Sequence, residues 1–184
     1  MKKILLSIAR ESIKNHFLNN KSDFSSFLKE NPELKDKGAS FVTLTKNGNL
    51  RGCIGSIIAH RSLLDDIVSN ARSSAFSDPR FPPLSFEELD QIKIEVSILT
   101  QPAALEYMDY EDLKNKINPG VDGVILKEGF QQATFLPQVW DELSSFDSFF
   151  SHLCLKAGMG SDCLQLHPEI SVYQVEKVKE DEFL

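Results

Sequence analysis

Apolar residues recur at three- and four-residue steps from Lys2 to about Asn20, where Leu5, Ile8, Ala9, Ile13 and Phe17 form one stripe. That period is the buried face of a helix. His16 lies beside the stripe and reads as a boundary histidine on a packing helix. Ser22 to Glu30 reads as a short second helix closed by Asn31-Pro32, because the residue before proline disfavours helical angles. The period then drops to two. Phe41 to Thr45 is rich in β-branched and aromatic residues, Asn47-Gly48 is a hairpin turn, and Leu50 to Ser56 is the returning strand. Ser62 caps a helix bearing Leu63, Leu64, Ile67, Val68, Ala71 and Ala75 on a broad apolar face. Three prolines make Ser77 to Pro83 a rigid loop, and Ser85 to Glu88 is a capping box opening a short helix.

Ile92, Ile94, Val96 and Ile98 alternate with Lys93, Glu95, Ser97 and Leu99 in the clearest strand of the chain. Tyr110 to about Ile117 reads as a helix ended by Asn118-Pro119-Gly120. Val124 to Leu126 and Gln131 to Phe135 make a second hairpin around Lys127-Glu128-Gly129, followed by Trp140 as a core anchor. Ser145 to Ala157 carries an apolar helix stripe stopped by Gly158, with Cys154 on its flank and His152 opposite. Ser171 to Val178 alternates as a last strand, and Lys179 to Leu184 reads as a frayed acidic end.

At 184 residues and 41% hydrophobic content, such a chain buries about 70% of its unfolded surface, enough for one full core or two small lobes sharing one, and a single compact domain over 1–184 is expected. A net charge of −7 with no basic run argues against a nucleic-acid or anionic-membrane surface. Arg10 and Glu11 interrupt the apolar start before a signal-peptide core is complete, and no stretch reaches transmembrane length. Three cysteines without close pairing suit free thiols in a reducing cytoplasm.

Packing alone explains Leu50-Arg51-Gly52-Cys53-Ile54-Gly55-Ser56 poorly. Glycines inside a strand mark a bulge or a close backbone approach. Regular alternation places Arg51, Cys53 and Gly55 on one face, with Arg51 and Cys53 roughly 6.6 Å apart. Neither a phosphate loop nor a nucleotide-clamping Gly-x-x-Gly fits, since no lysine follows Gly55 and the flanks are strand. Cys53 is then either a small buried residue or a nucleophile, with Arg51 favouring the thiolate and nearby N–H groups receiving an oxyanion. A base is missing from the local sequence. His60 lies roughly 23 Å away along an extended strand, and His152 or His167 reaches Cys53 only through tertiary folding. Asp78 and Arg80 form either an ion pair clamping their loop or a ligand contact. No cysteine or histidine pair has metal-ligand spacing, and no cofactor is expected.

The string LRGCIGS after a Phe-Val-Thr-Leu strand, Ser77-Asp78-Pro79-Arg80-Phe81-Pro82-Pro83, Glu95 to Leu99, Phe135 to Val139 and Leu155 to Gly158 resemble, in order, the AMME chromosomal-region protein family. Its prokaryotic members are also called AmmeMemoRadiSam system protein A. Leu164 stands where members often carry tryptophan. The resemblance implies an α+β fold of two subdomains, antiparallel or mixed sheet flanked by helices, with the glycine-cysteine motif near the cleft between them. It implies Memo-like and radical S-adenosylmethionine proteins as partners and no particular reaction. Two functions remain open. One is an accessory protein binding a partner or small anionic ligand through Arg51, Gly52, Gly55, Asp78, Arg80, Glu95 and Gln138; the other is an enzyme with Cys53 as nucleophile.

Overall fold

The computed structural model describes residues 2–20 and 23–183. In chain order the elements are α1 (Lys2–Phe17), α2 (Ser25–Glu30), β1 (Lys37–Lys46), β2 (Asn49–Gly55), β3 (Arg61–Ser62), α3 (Leu63–Phe76) and β4 (Ile92–Leu99). There follow β5 (Ala103–Ala104), α4 (Tyr110–Lys116), β6 (Gly123–Glu128), β7 (Gln131–Phe135), α5 (Phe146–Lys156), β8 (Glu169–Tyr173) and β9 (Val175–Lys179). The expected α+β class is what the chain adopts. It divides into two compact units, one of residues 1–99 with 176–184 and the other of residues 100–175.

In the first unit the strand order is β2-β1-β4-β9, with the short β3 also pairing β1. Alternation along β1 puts Val42 and Leu44, both fully buried, on the inner face with Ile94 and Val96 of β4. The apolar stripes of α1 (Leu5, Ile8, Ile13) and α3 (Ile67, Ala71) complete that core. The Ser62 hydroxyl accepts the Asp65 N–H and so caps α3. His16 stacks on Phe76 at 4.0 Å between ring centres. The expected helix over Ser22 to Glu30 begins at Ser25, and Ser22 lies outside the described residues.

The second sheet runs β5-β8-β6-β7. Trp140 stacks on Phe149 of α5 at 3.7 Å between centres, and its Nε1–H donates to the Asp122 carbonyl, so it anchors this core. The expectation of three free thiols fails here. Cys154 on α5 and Cys163 form a disulfide, because Gly158, at φ +80°, turns the chain back and leaves their Cα atoms 5.7 Å apart. Cys53 alone is free, and the cysteine count no longer argues for a reducing compartment.

Two further expectations are corrected. The alternation over Ser171 to Val178 is not one strand but β8 and β9, which join different sheets. The acidic end is not frayed through its described residues: Arg10 grips the Glu180 carboxylate through Nε and Nη2, each at 2.7 Å. Glu180 also accepts the Ile94 N–H at 2.8 Å, which ties the terminal segment to β4.

Loop closure over the nine-residue separation gives the disulfide about 2–3 kcal/mol of stabilisation. A Cys154→Ala/Cys163→Ala variant should show that loss in chemical denaturation, and the native oxidised protein should titrate as one thiol. Three titratable thiols would contradict the bridge.

Candidate functional site

The register between β1 and β2 breaks at the motif. Thr45 faces Leu50 and Leu44 faces Gly52, which leaves Arg51 as the extra residue of a β-bulge. The bulge changes the phase of the strand, so Leu50, Cys53 and Gly55 share the outer face and Arg51 does not. Strict alternation, which grouped Arg51 with Cys53, therefore fails at this point. The two glycines are filled by protein and are not openings for a ligand. A Cβ on Gly52 would lie 2.1 Å from the Ser74 carbonyl oxygen of α3, and one on Gly55 would lie 2.2 Å from the Phe41 ring. Ser74 also inserts its hydroxyl between the strands, accepting the Ile54 N–H and donating to the Val42 carbonyl.

Cys53 sits on β2, an outer strand of its sheet, with both peptide groups turned toward the Pro-rich loop. Its N–H donates to Asp78 Oδ2 at 2.8 Å, and its carbonyl accepts from Arg80 Nη2 at 3.1 Å. Asp78 in turn accepts from Arg80 Nε at 2.9 Å, Nη2 at 2.7 Å and the Arg80 backbone N–H. Only 4% of Asp78 is exposed, and the Arg80 guanidinium holds its carboxyl well below the usual carboxylate range despite that burial. Arg80 is raised in return, by Asp78 first and with Cys53 adding to the effect. The Cys53 sulfur meets the Thr43 hydroxyl at 3.3 Å. Thr43 is flanked in register by Cys53 and by Glu95, so thiol, hydroxyl and carboxylate form one row across three strands. Glu95 pairs with Lys179 at 3.5 Å.

Arg51 is taken up elsewhere. Its Nε and Nη2 donate to the two oxygens of Glu88 at 3.0 and 2.9 Å, and Lys46 joins the same carboxylate at 3.1 Å. Arg51, with Lys46 and the Ser85 backbone N–H, lowers Glu88 to about 2 against its burial. The cation beside Cys53 is thus Arg80 and not Arg51. Gln138 lies exposed in the second unit, on the turn after β7. The His60 ring engages the Ile58 carbonyl, and His152 and His167 engage Ser148 and Tyr107 carbonyls. Among the described residues no group of three or more His, Cys, Asp or Glu is placed to hold a metal ion.

Sequence reasoning missed Thr43, Ser74 and Glu88, and it missed a buried knot next to the motif. The fully buried Asp66 carboxylate accepts from Ser40 N–H and hydroxyl, Ser56, Arg61 and Asn70, all at 2.7–2.9 Å. A signal existed. Asp66, Asn70 and Ser74 repeat every four residues, a polar seam running beside the apolar seam Ile67, Ala71 and Ala75.

Gly52→Ala should cost about 3 kcal/mol in chemical denaturation because a backbone carbonyl blocks the methyl, and Gly55→Ala should cost less because a side chain can yield. Glu88→Gln should cost about 2 kcal/mol at neutral pH. Glu88 is depressed on folding, so its contribution is present above about 4.5 and lost as pH falls toward 2. The gap between wild type and Glu88→Gln should close over that window; a gap independent of pH would contradict the pairing.

Comparison with known proteins agrees with this architecture. The AMMECR1 family model matches residues 6–178. A protein of Methanothermobacter thermautotrophicus is 40% identical over 179 residues, covering 92% of this chain and 88% of its own length. One from Saccharolobus solfataricus is 42% identical over 171 residues, covering 88% and 73% respectively. The crystal structure of an uncharacterized protein from Pyrococcus horikoshii aligns with a TM-score of 0.82 at 32% identity, covering 98% of this chain and 91% of that one. No helix among the described residues is long and apolar enough to cross a membrane. With its motifs in order and its match running nearly end to end, the chain belongs to the AMMECR1 family.

Proposed function

We propose that this is an accessory binding protein whose Cys53–Arg80 surface receives an anionic group of a partner or small ligand, while partner enzymes carry out the chemistry. Arg80 carries the reading. Its side chain is 53% exposed, yet it is fixed by two bonds to Asp78 and one to the Cys53 carbonyl, while its backbone N–H donates to Asp78 as well. A cation oriented before binding loses little further side-chain entropy when an anion arrives. The partners we propose are the Memo-like and radical S-adenosylmethionine proteins associated with the family, in a cytoplasmic setting suited to radical chemistry. No reaction on this chain is needed for that role.

A second reading is favoured by one observation, the placement of Arg80 and the Thr43 hydroxyl around Cys53. There Cys53 acts as a nucleophile with a cation at hand. Cys53→Ser separates the two: loss of function in cells with partner binding retained supports catalysis, and intact function excludes it.

The binding reading is tested by calorimetric titration of each proposed partner at micromolar concentration. Wild type should bind at least one, and Arg80→Gln should weaken that binding about tenfold or more, the loss expected for one charge-assisted contact. Absence of binding to either partner would overturn it.

A further inference from the structure

We infer that Arg51 and Arg80 together form a two-guanidinium receptor for a single oxyanion, phosphate or carboxylate, and that Phe81 is the ring covering it. This deepens the binding reading above and rests on it. Both arginines spend the same edge on their carboxylates. Arg51 gives Nε and Nη2 to Glu88, and Arg80 gives Nε and Nη2 to Asp78. In each case Nη1 stays outside the ion pair. For Arg51, Nη1 is the one buried side-chain polar atom without a hydrogen-bond partner among the described residues, on a residue only 9% exposed.

Both guanidiniums lie over one ring. The Phe81 centroid is 5.9 Å from Arg51 Cζ and 5.6 Å from Arg80 Cζ. A ring face attracts a cation electrostatically but offers no lone pair to an N–H donor, so it covers Arg51 without satisfying Nη1. The local charge points the same way. Lys46, Arg51 and Arg80 face the carboxylates of Glu88 and Asp78, three cations against two anions, in a chain whose net charge is −7.

A buried charged donor without an acceptor is costly, and an anion reaching it would gain a charge-assisted bond with little competition from water. Phosphate and carboxylate each offer several lone pairs on at least two oxygens, enough to accept from both guanidiniums. Pro79, Pro82 and Pro83 stiffen the backbone around Phe81, so access comes from rotation of the ring and leaves the loop in place. Phe81 thereby sets which oxyanions enter.

The test titrates inorganic phosphate, and separately acetate, into the full chain while the arginine Nε–H signals are followed by NMR. In wild type, one or both anions should shift the signals of Arg51 and Arg80 together, and the stronger of the two identifies the class. Arg51→Lys should weaken binding about tenfold, since it keeps the charge and loses the fork. Phe81→Ala should tighten it several-fold by uncovering Arg51, and this variant leaves both ion pairs in place should Arg51→Lys fold poorly. Anion affinity unchanged in both variants would mean that Arg51 Nη1 is met by buried water, and the receptor fails. Affinity lost in Arg80→Gln alone would likewise overturn the two-arginine receptor while leaving the binding reading intact. No response of wild type to either anion overturns the receptor, and partner titration then decides the broader reading by itself.

Discussion

The Asp78 carboxylate is the interaction on which the motif depends. It is almost wholly buried, and it binds the Cys53 peptide N–H on one side and the Arg80 guanidinium and backbone on the other. One ionised side chain thus satisfies the open backbone of an outer strand and fixes a cation at its border. Without it, the Cys53 N–H would face outward unpaired, a hazard at any sheet edge. Arg80 would also lose the anion that keeps it in place.

The motif's glycines follow from packing on the opposite face. Helix α3 is pressed so closely onto β2 that the Ser74 carbonyl occupies the space of a Gly52 side chain and the Ser74 hydroxyl replaces a direct bond between strands. The bulge at Arg51 lies beside this intrusion, and it turns the arginine toward Glu88 and Lys46. A tightly docked helix, a bulged strand and a rigid loop therefore share one local arrangement. Its inner side is structural, built on Asp66, Asn70 and Ser74; its outer side presents Cys53, Thr43 and Arg80.

Much of the fold was legible because the sequence periods are strong. The α1 and α3 stripes, the β4 alternation, the Asn47-Gly48 turn and the Ser62 cap all depend on neighbours within a few residues. The site was legible in part. LRGCIGS and the Asp78–Arg80 pair stood out because glycine, proline and charge are unusual there. The errors came from long-range effects. A single extra residue moved Arg51 off Cys53's face, Gly158 folded Cys154 back toward Cys163, and Arg10 anchored an acidic end that local composition left loose. Sequence separation carries no mark of such contacts. The polar seam of α3 was visible, but an apolar stripe beside it drew the reading.

Family membership supports the architecture, and the relatives compared carry no activity in their names, so the functional argument returns to the grip of Asp78 on Cys53 and Arg80. Amide hydrogen exchange at Cys53, measured in wild type and Asp78→Asn, tests that grip most directly. The account predicts a slow Cys53 amide despite its place on an outer strand, with protection lost selectively in Asp78→Asn while Val42 and Leu44 stay protected. A Cys53 amide that exchanges freely in wild type, or one that Asp78→Asn leaves unchanged, would contradict it.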